Sequence, residues 1–192
     1  PVLYLLHGSS QFDNAWLMSG RAAQIMDNLI AAGECEPMIV VMPGGNLQLQ
    51  AAPGYDTDNF TLQARTRKYL SKTNNGEWEA AFPSLVEHID KHYRTKTGKI
   101  WRAIAGLSMG GAQSVVISAN YPKMFGYVGC FSCYIMGSGE VVDNIYDKIA
   151  KQLSMKPRLW FLTTGPQDEL YSGIIEFKEK VDAMGYPYQW LE

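Results

Sequence analysis

Ser108 is the side chain best placed for nucleophilic chemistry. It lies in Ile104-Ala105-Gly106-Leu107-Ser108-Met109-Gly110-Gly111, which holds the pattern Gly-x-Ser-x-Gly. An apolar run, Ile100, Trp101, Ala103, Ile104 and Ala105, precedes it, and a small-residue helix, Ala112 to Tyr121, follows until Pro122 stops it. Strand, sharp turn and helix give the short pattern its meaning. A nucleophilic serine has to project from a turn so tight that its backbone is strained. Side chains at positions 106 and 110 would collide with the neighbouring strand or helix. The helix begins just after Ser108, so its free N–H groups and positive end face the reacting centre.

A serine hydroxyl is a poor nucleophile until a base takes its proton, and the base needs an acid to fix its tautomer. In the α/β-hydrolase chain order, the acid follows the serine at the end of a later strand, and histidine comes last. Asp168 fits the acid. It ends the turn Gly165-Pro166-Gln167-Asp168, after the apolar strand Leu159 to Thr164, with Glu169 as the neighbouring alternative. The oxyanion of an acyl-transfer intermediate needs two preorganised donors. These are the backbone N–H of Met109 and one from the loop after Val2–Leu6, namely Ser9, with Gly8 and Ser10 beside it.

The histidine is missing from its expected place. The chain holds His7, His88 and His92, and all precede Ser108. His7 reads as a structural residue at a strand end. His88 and His92 share a helix face opposite the apolar stripe, without the Glu of a zinc-protease motif, so a solvated face is expected. Tyr188 to Glu192 looks like the last strand, and the base should follow it. The sequence is therefore expected to be cut at its C-terminus. Residues 1–192 alone should then be nearly inactive, since removing such a base costs on the order of 10⁴–10⁶ in kcat. It is also expected to be cut at its N-terminus, because Pro1 to Leu6 already reads as a buried strand, without Met or a leader.

These groups need a frame. Val2–Leu6 reads as a buried strand ending at His7-Gly8. A helix with Ala22, Ile25, Met26, Leu29 and Ile30 on one face stops at Gly33, and Met38–Met42 is a second buried strand. Asn46 to Asn75 shows turn signals, with a short helix in Thr61–Leu70. A connection this long after a parallel strand reads as a wall or lid of a cleft. Glu77 to Tyr93 is a helix expected to bend at Phe82–Ser84, around Pro83. Tyr127–Ile135 is a strand, Val141–Leu153 a helix striped by Ile145, Ile149 and Leu153. Ile174, Ile175, Phe177, Val181 and Met184 form a helix closed by Gly185, and Tyr186–Leu191 is the final strand. Alternating strands and helices specify an α/β protein with a mostly parallel sheet flanked by helices.

At 192 residues the chain is expected to form one domain with a substantial core. Seventeen Lys and Arg against nineteen Asp and Glu leave a net charge of −2. No basic block stands out, so neither nucleic acid nor an anionic membrane is an expected partner. Apolar runs are too short to span a bilayer. Three cysteines, an odd count, argue against a disulfide framework. Cys130 and Cys133 lie three apart in a strand pattern, which puts them on opposite faces as small buried groups. No metal or cofactor is called for. Trp16, Tyr55 and Phe60 are candidate aromatic walls of a binding cleft, or simply pack.

With these residues assembled, the chain resembles the putative-esterase (esterase D-like) family of α/β-hydrolases, most of all the feruloyl esterase modules of bacterial xylan-degrading enzymes. Leu5-Leu6-His7-Gly8, Gly20-Arg21-Ala22, Asp27 to Ala31, Pro37 to Pro43 and Arg102 to Gly111 carry the likeness, with Gly165 and Asp168 as the acid turn. The resemblance covers almost the whole chain, residues 1–192, as a single α/β-hydrolase catalytic domain without its first strands and its histidine segment. It implies Ser108 as nucleophile and Asp168 as acid. The family's Gly-Gly-His-like turn after the last strand is absent, and Asn46–Gly76 looks longer than in close feruloyl esterases. The resemblance further implies a serine esterase releasing hydroxycinnamate or acetyl groups from plant polysaccharides, secreted or periplasmic. Relatives hydrolyse S-formylglutathione or transfer mycolyl groups. A non-catalytic binding relative, an acyltransferase and a thioesterase are the alternatives.

Overall fold

The computed structural model describes residues 1–47 and 75–192. The connection read as a cleft wall or lid, its Thr61–Leu70 helix, and Tyr55 and Phe60 lie outside the described residues.

Six parallel strands form one sheet in the order β2-β1-β3-β4-β5-β6. They are β1 (Val2–Leu6), β2 (Ile39–Val41), β3 (Arg102–Leu107), β4 (Tyr127–Phe131), β5 (Leu159–Thr163) and β6 (Gln189–Leu191). The chain begins inside the sheet, steps outward to β2, then crosses back past β1 to β3. That reversal is a topological switch point, where the loops leaving the strand ends part and open a crevice. It falls between β1 and β3, the strands that lead to Gly8 and to Ser108.

The described helices are α1 (Ala15–Met18), α2 (Ala22–Ala31), α3 (Glu77–His92), α4 (Met109–Asn120), α5 (Ile145–Ser154) and α6 (Tyr171–Asp182). Helix α4 crosses β1, β3 and β4, and α3 and α5 pack beside it. Every residue of α4 from Met109 to Ala119 is buried, so its small side chains let helix and sheet approach closely. Helix α3 continues through Pro83, around which a bend was expected, as one 16-residue element. Its first turn is held from outside the helix, the Glu77 N–H donating to Asn75 Oδ1 at 3.1 Å.

Alternation along the strands gives the sheet two unlike faces. Val2, Tyr4, Leu6, Ile104, Val128, Cys130, Trp160 and Leu162 are all buried under the α3–α6 layer. An edge-on aromatic group fixes that layer, with Phe82 5.4 Å from Tyr4, 5.5 Å from Trp78 and 6.1 Å from Phe125. Arg102 opens β3 inside this core. Its guanidinium donates to Asp90 Oδ2 at 2.6 Å and to the Met124 carbonyl at 3.0 Å, tying the end of α3 to the sheet. The opposite face is only partly covered. Leu3, Ala103, Tyr127, Phe131 and Phe161 line an apolar groove of about 580 Å³ together with Met26 and Leu29 of α2. The stripe on α2 therefore does not bury as its period suggested: Ile25 is 52 % exposed and only Ala22 is buried.

Several boundaries moved. Ile100 and Trp101 belong to a short 3₁₀ turn, Lys99–Trp101, ahead of β3. Helix α4 starts at Met109, three residues before Ala112. Val141 precedes α5, in a turn where the Val142 N–H donates to the Gly139 carbonyl. Strand β4 stops at Phe131 instead of Ile135, because Ser132 turns left-handed at φ 49°. That turn overturns the reading of the two cysteines. Cys133 swings back to the side of Cys130, and the two form a disulfide instead of lying on opposite faces of a strand. Cys35 is the free cysteine.

Candidate active site

The strand ends lie in one row. Leu6 pairs with Gly106, Gly106 with Cys130, Cys130 with Leu162 and Leu162 with Trp190. One residue further on, Leu107, Phe131, Thr163 and Leu191 form the next row. Ser108, Ser132 and Thr164 thus leave neighbouring strands at the same level, and Asp168 follows Thr164 by one short turn. Ser108 and the Asp168 turn stand two strand spacings apart, about 10 Å at the backbone. That separation leaves room for an imidazole between the two side chains.

Ser108 has φ 53° and ψ −117°, a conformation open mainly to glycine. Two hydrogen bonds hold it there. Its N–H donates to the Phe131 carbonyl at 2.8 Å, and its own carbonyl accepts from Ala112 at 3.0 Å as α4 begins. The glycines around it supply the clearance. A Cβ at Gly106 would strike the Gly110 carbonyl group, and one at Gly110 would lie 2.6 Å from the carbonyl oxygens of both Leu6 and His7. Gly111 serves the disulfide, since a Cβ there would sit 2.8 Å from Cys133 Sγ.

The loop after β1 lies against the serine. A Cβ built on Gly8 would be 3.8 Å from Ser108 Cβ. The Gly8 N–H is taken by Gln11 Oε1 at 3.1 Å. Among the described residues the Ser9 N–H makes no hydrogen bond. Met109 is the first residue of α4, so its N–H has no acceptor within the helix. His7 is buried and turned away from this opening. Its Nδ1 bonds the Gly8 carbonyl at 2.8 Å, and its ring lies beside Gly45. Burial lowers its pKa and keeps the imidazole neutral at physiological pH.

Asp168 is held by its own turn. Its N–H donates to the Gly165 carbonyl at 3.0 Å, and its Oδ1 accepts the Leu170 N–H at 2.8 Å. That bond first, and the Ser132 hydroxyl next, bring the carboxyl below its ordinary value, so it is ionised at neutral pH. Thr164 Oγ1 is buried near the same carboxylate without closing a hydrogen bond among the described residues.

Two buried polar groups behind the elbow escaped the reading of the sequence. Gln113 Nε2 donates to the Gly45 carbonyl at 2.8 Å, which pins the loop after β2 beside His7. Glu79 lies next to Gln113, and burial raises its pKa. A glutamine in the middle of a helix of small and apolar residues was the available signal. His88 and His92 are exposed and stack at 4.1 Å. No group of three or more metal-ligating side chains occurs among the described residues. Trp16 packs edge-on to Phe131 at 6.4 Å and donates from Nε1 to the Leu6 carbonyl at 2.9 Å, so its ring is fixed beside the strand ends.

The family described as Putative esterase matches residues 1–173, and the chain belongs to it. Its fold is that of the α/β-hydrolases. An endo-1,4-beta-xylanase/feruloyl esterase of Xylanibacter ruminicola is 40% identical over 133 residues, 69% of this chain. The matched stretch is 16% of that protein's length. A solved ferulic acid esterase superposes over 100% of this chain and 75% of its own, with 27% identity and a TM-score of 0.74. An S-formylglutathione hydrolase of Staphylococcus aureus shares the fold at 16% identity, with a TM-score of 0.66 over 99% of this chain and 74% of its own. No helix among the described residues is long and apolar enough to cross a membrane.

Proposed function

We propose that this chain carries the nucleophile and acid of a serine carboxylic-ester hydrolase, in a single domain, acting on feruloyl or acetyl esters of plant polysaccharides. The strained Ser108 at the head of α4, two strands from an ionised Asp168, is the observation that supports it most. The likeness to feruloyl esterases supports the substrate class. In this reading Ser108 Oγ attacks the ester carbonyl carbon while a base takes its proton. The N–H groups of Met109 and Ser9 bind the oxygen that becomes negative. The sugar hydroxyl leaves with that proton, and water then releases the acid from Ser108 by the same route reversed. Asp168 orients the base and balances its positive charge.

None of His7, His88 and His92 suits the base. His7 is engaged with its own loop, and the other two lie on the outer face of α3. The test is methyl ferulate hydrolysis by the full-length protein. Ser108→Ala and Asp168→Asn should each lower kcat by about 10⁴-fold or more. Wild-type turnover by Ser108→Ala would overturn the proposal.

A further inference from the structure

We infer that His7 is a positioning residue: its ring fixes the Gly8–Ser9 peptide so that the Ser9 N–H is held outward as an oxyanion donor. The inference rests on the proposed role of Ser9, and it concerns a histidine that takes no part in the proton transfers. His7 Nδ1 lies 2.8 Å from the Gly8 carbonyl oxygen. A carbonyl oxygen only accepts, so Nδ1 carries the proton and donates it. The opposite tautomer would set a lone pair against that oxygen. No peptide bond among the described residues is cis, so the N–H of the Gly8–Ser9 unit points opposite to its C=O. His7 is buried and Ser9 is exposed. With the carbonyl drawn to the ring beneath it, the Ser9 N–H is turned to the open side of the loop. Among the described residues it meets no acceptor there. That is the state an oxyanion donor needs before substrate arrives.

Gly8 has no Cβ, so the peptide unit after it flips at small steric cost unless something holds it. On its N-terminal side Gly8 is fixed by Gln11, whose Oε1 accepts the Gly8 N–H at 3.1 Å. On its C-terminal side it rests on the His7 ring. The ring is backed by the loop after β2 and by the elbow helix. A Cβ built on Gly45 would lie 3.2 Å from His7 Cε1 and 2.5 Å from Met109 Cε, so the two side chains meet at that glycine. Gln113, one turn along α4 from Met109, donates from Nε2 to the Gly45 carbonyl at 2.8 Å and keeps the loop in place. His7 thus holds the peptide of one proposed donor and shares its seat with the side chain of the other. Buried polar atoms are as a rule hydrogen-bonded on every side they can be. His7 Nε2 is buried with no partner among the described residues, so the bond to the Gly8 carbonyl is the one polar contact of the ring.

The experiment uses the full-length protein, with kcat and KM for methyl ferulate, thermal melts and nitrogen NMR of the His7 ring. The wild-type spectrum should show the ring proton on Nδ1. A proton on Nε2 alone overturns the inference, and that readout needs no variant. The amide of His7→Asn falls where Nδ1 was, whereas that of His7→Gln reaches the place of Nε2. His7→Gln should lower kcat about ten- to a hundredfold with KM little changed, and His7→Asn should recover most of that loss. The α-hydroxy acid analogue of serine at position 9 turns the peptide into an ester and removes the N–H while keeping side chain and carbonyl. It should lower kcat about a hundredfold, and His7→Gln should add little in that background. Wild-type kcat in a folded His7→Gln variant, equal losses in the Gln and Asn variants, or losses from His7→Gln and the ester that multiply would each overturn the positioning role. Wild-type kcat with the ester would instead sink the donor role of Ser9, and the ring proton would still decide whether His7 holds the Gly8 carbonyl.

Discussion

The Ser108 N–H donates to the Phe131 carbonyl at 2.8 Å, so the strained turn after β3 is anchored on the strand beside it. Ser108 does not depend on its own loop for its conformation. Parallel pairing of β3 with β4 carries the sharp reversal, and α4 takes over one residue later.

The strain at this turn is measurable. Replacing Ser108 by Ala keeps the Cβ at φ 53°, whereas Gly removes it. Relief of the turn exceeds the extra chain entropy of glycine, so Ser108→Gly should be more stable than Ser108→Ala by about 1 kcal/mol. In a chain of this size that is roughly 2–4 °C in Tm. Paired thermal melts decide it, and an Ala variant that melts at or above the Gly variant would show the turn to be unstrained.

Gly110→Ala should be costly, because the new Cβ would meet the Leu6 and His7 carbonyl oxygens at 2.6 Å and backbone atoms cannot step aside. We expect about 3 kcal/mol of lost stability in urea titrations. Gly165→Ala is the control: nothing lies within 4 Å of its Cβ, and it should be close to neutral. Equal effects at the two sites would refute the steric account.

Glu79 sets a pH dependence. Burial raises its pKa above the ordinary 4.5, while its hydrogen bonds with its own N–H, with the Gly76 N–H and with Gln113 pull the other way. The folded state therefore holds this proton more tightly than the unfolded chain does. Its contribution is whole below pH 4.5 and is lost as pH rises through the folded value. Glu79→Gln keeps an oxygen and a donor at the site without the charge. Stability measured from about pH 4 to 8 should fall less steeply for the variant. A slope equal to that of the wild type would mean that Glu79 is not held neutral.

Asp90→Asn should destabilise by about 3 kcal/mol, because it leaves the buried Arg102 guanidinium without its counter-charge. Arg102→Met in the same chain should recover part of the loss. If the double variant is as unstable as the sum of the two single ones, the ion pair is not the link between α3 and β3.

Much of this frame was legible because its signals are local. Gly106, Ser108 and Gly110 announce a turn that admits few other residues, and the Ile145, Ile149, Leu153 stripe places α5 on the core as expected. Gly33 at φ 73° ends α2 where a glycine stop was expected. What failed was not local. Ser132 carries no mark of a left-handed turn, being neither glycine nor asparagine, so the strand pattern ran on to Ile135 and separated two cysteines that the fold joins. The α2 stripe has the right period, but periodicity cannot say how closely a second layer covers the sheet. Glu79 and Gln113 read as ordinary helix residues, because the Gly45 carbonyl that Gln113 serves lies sixty-eight positions away. The turn that holds Asp168 follows β5, where strand order put it.

The register of the sheet bears on how this protein comes to function. Gly8 reaches Ser108 only after position 6 has paired with position 106, and Ser132 reaches the Thr163 carbonyl only after β4 has paired with β5. Contacts this distant along the chain form late and slowly. Recovery of catalysis during refolding should therefore lag behind recovery of helix content, and turnover becomes a clock for the closing of the last strand pairs.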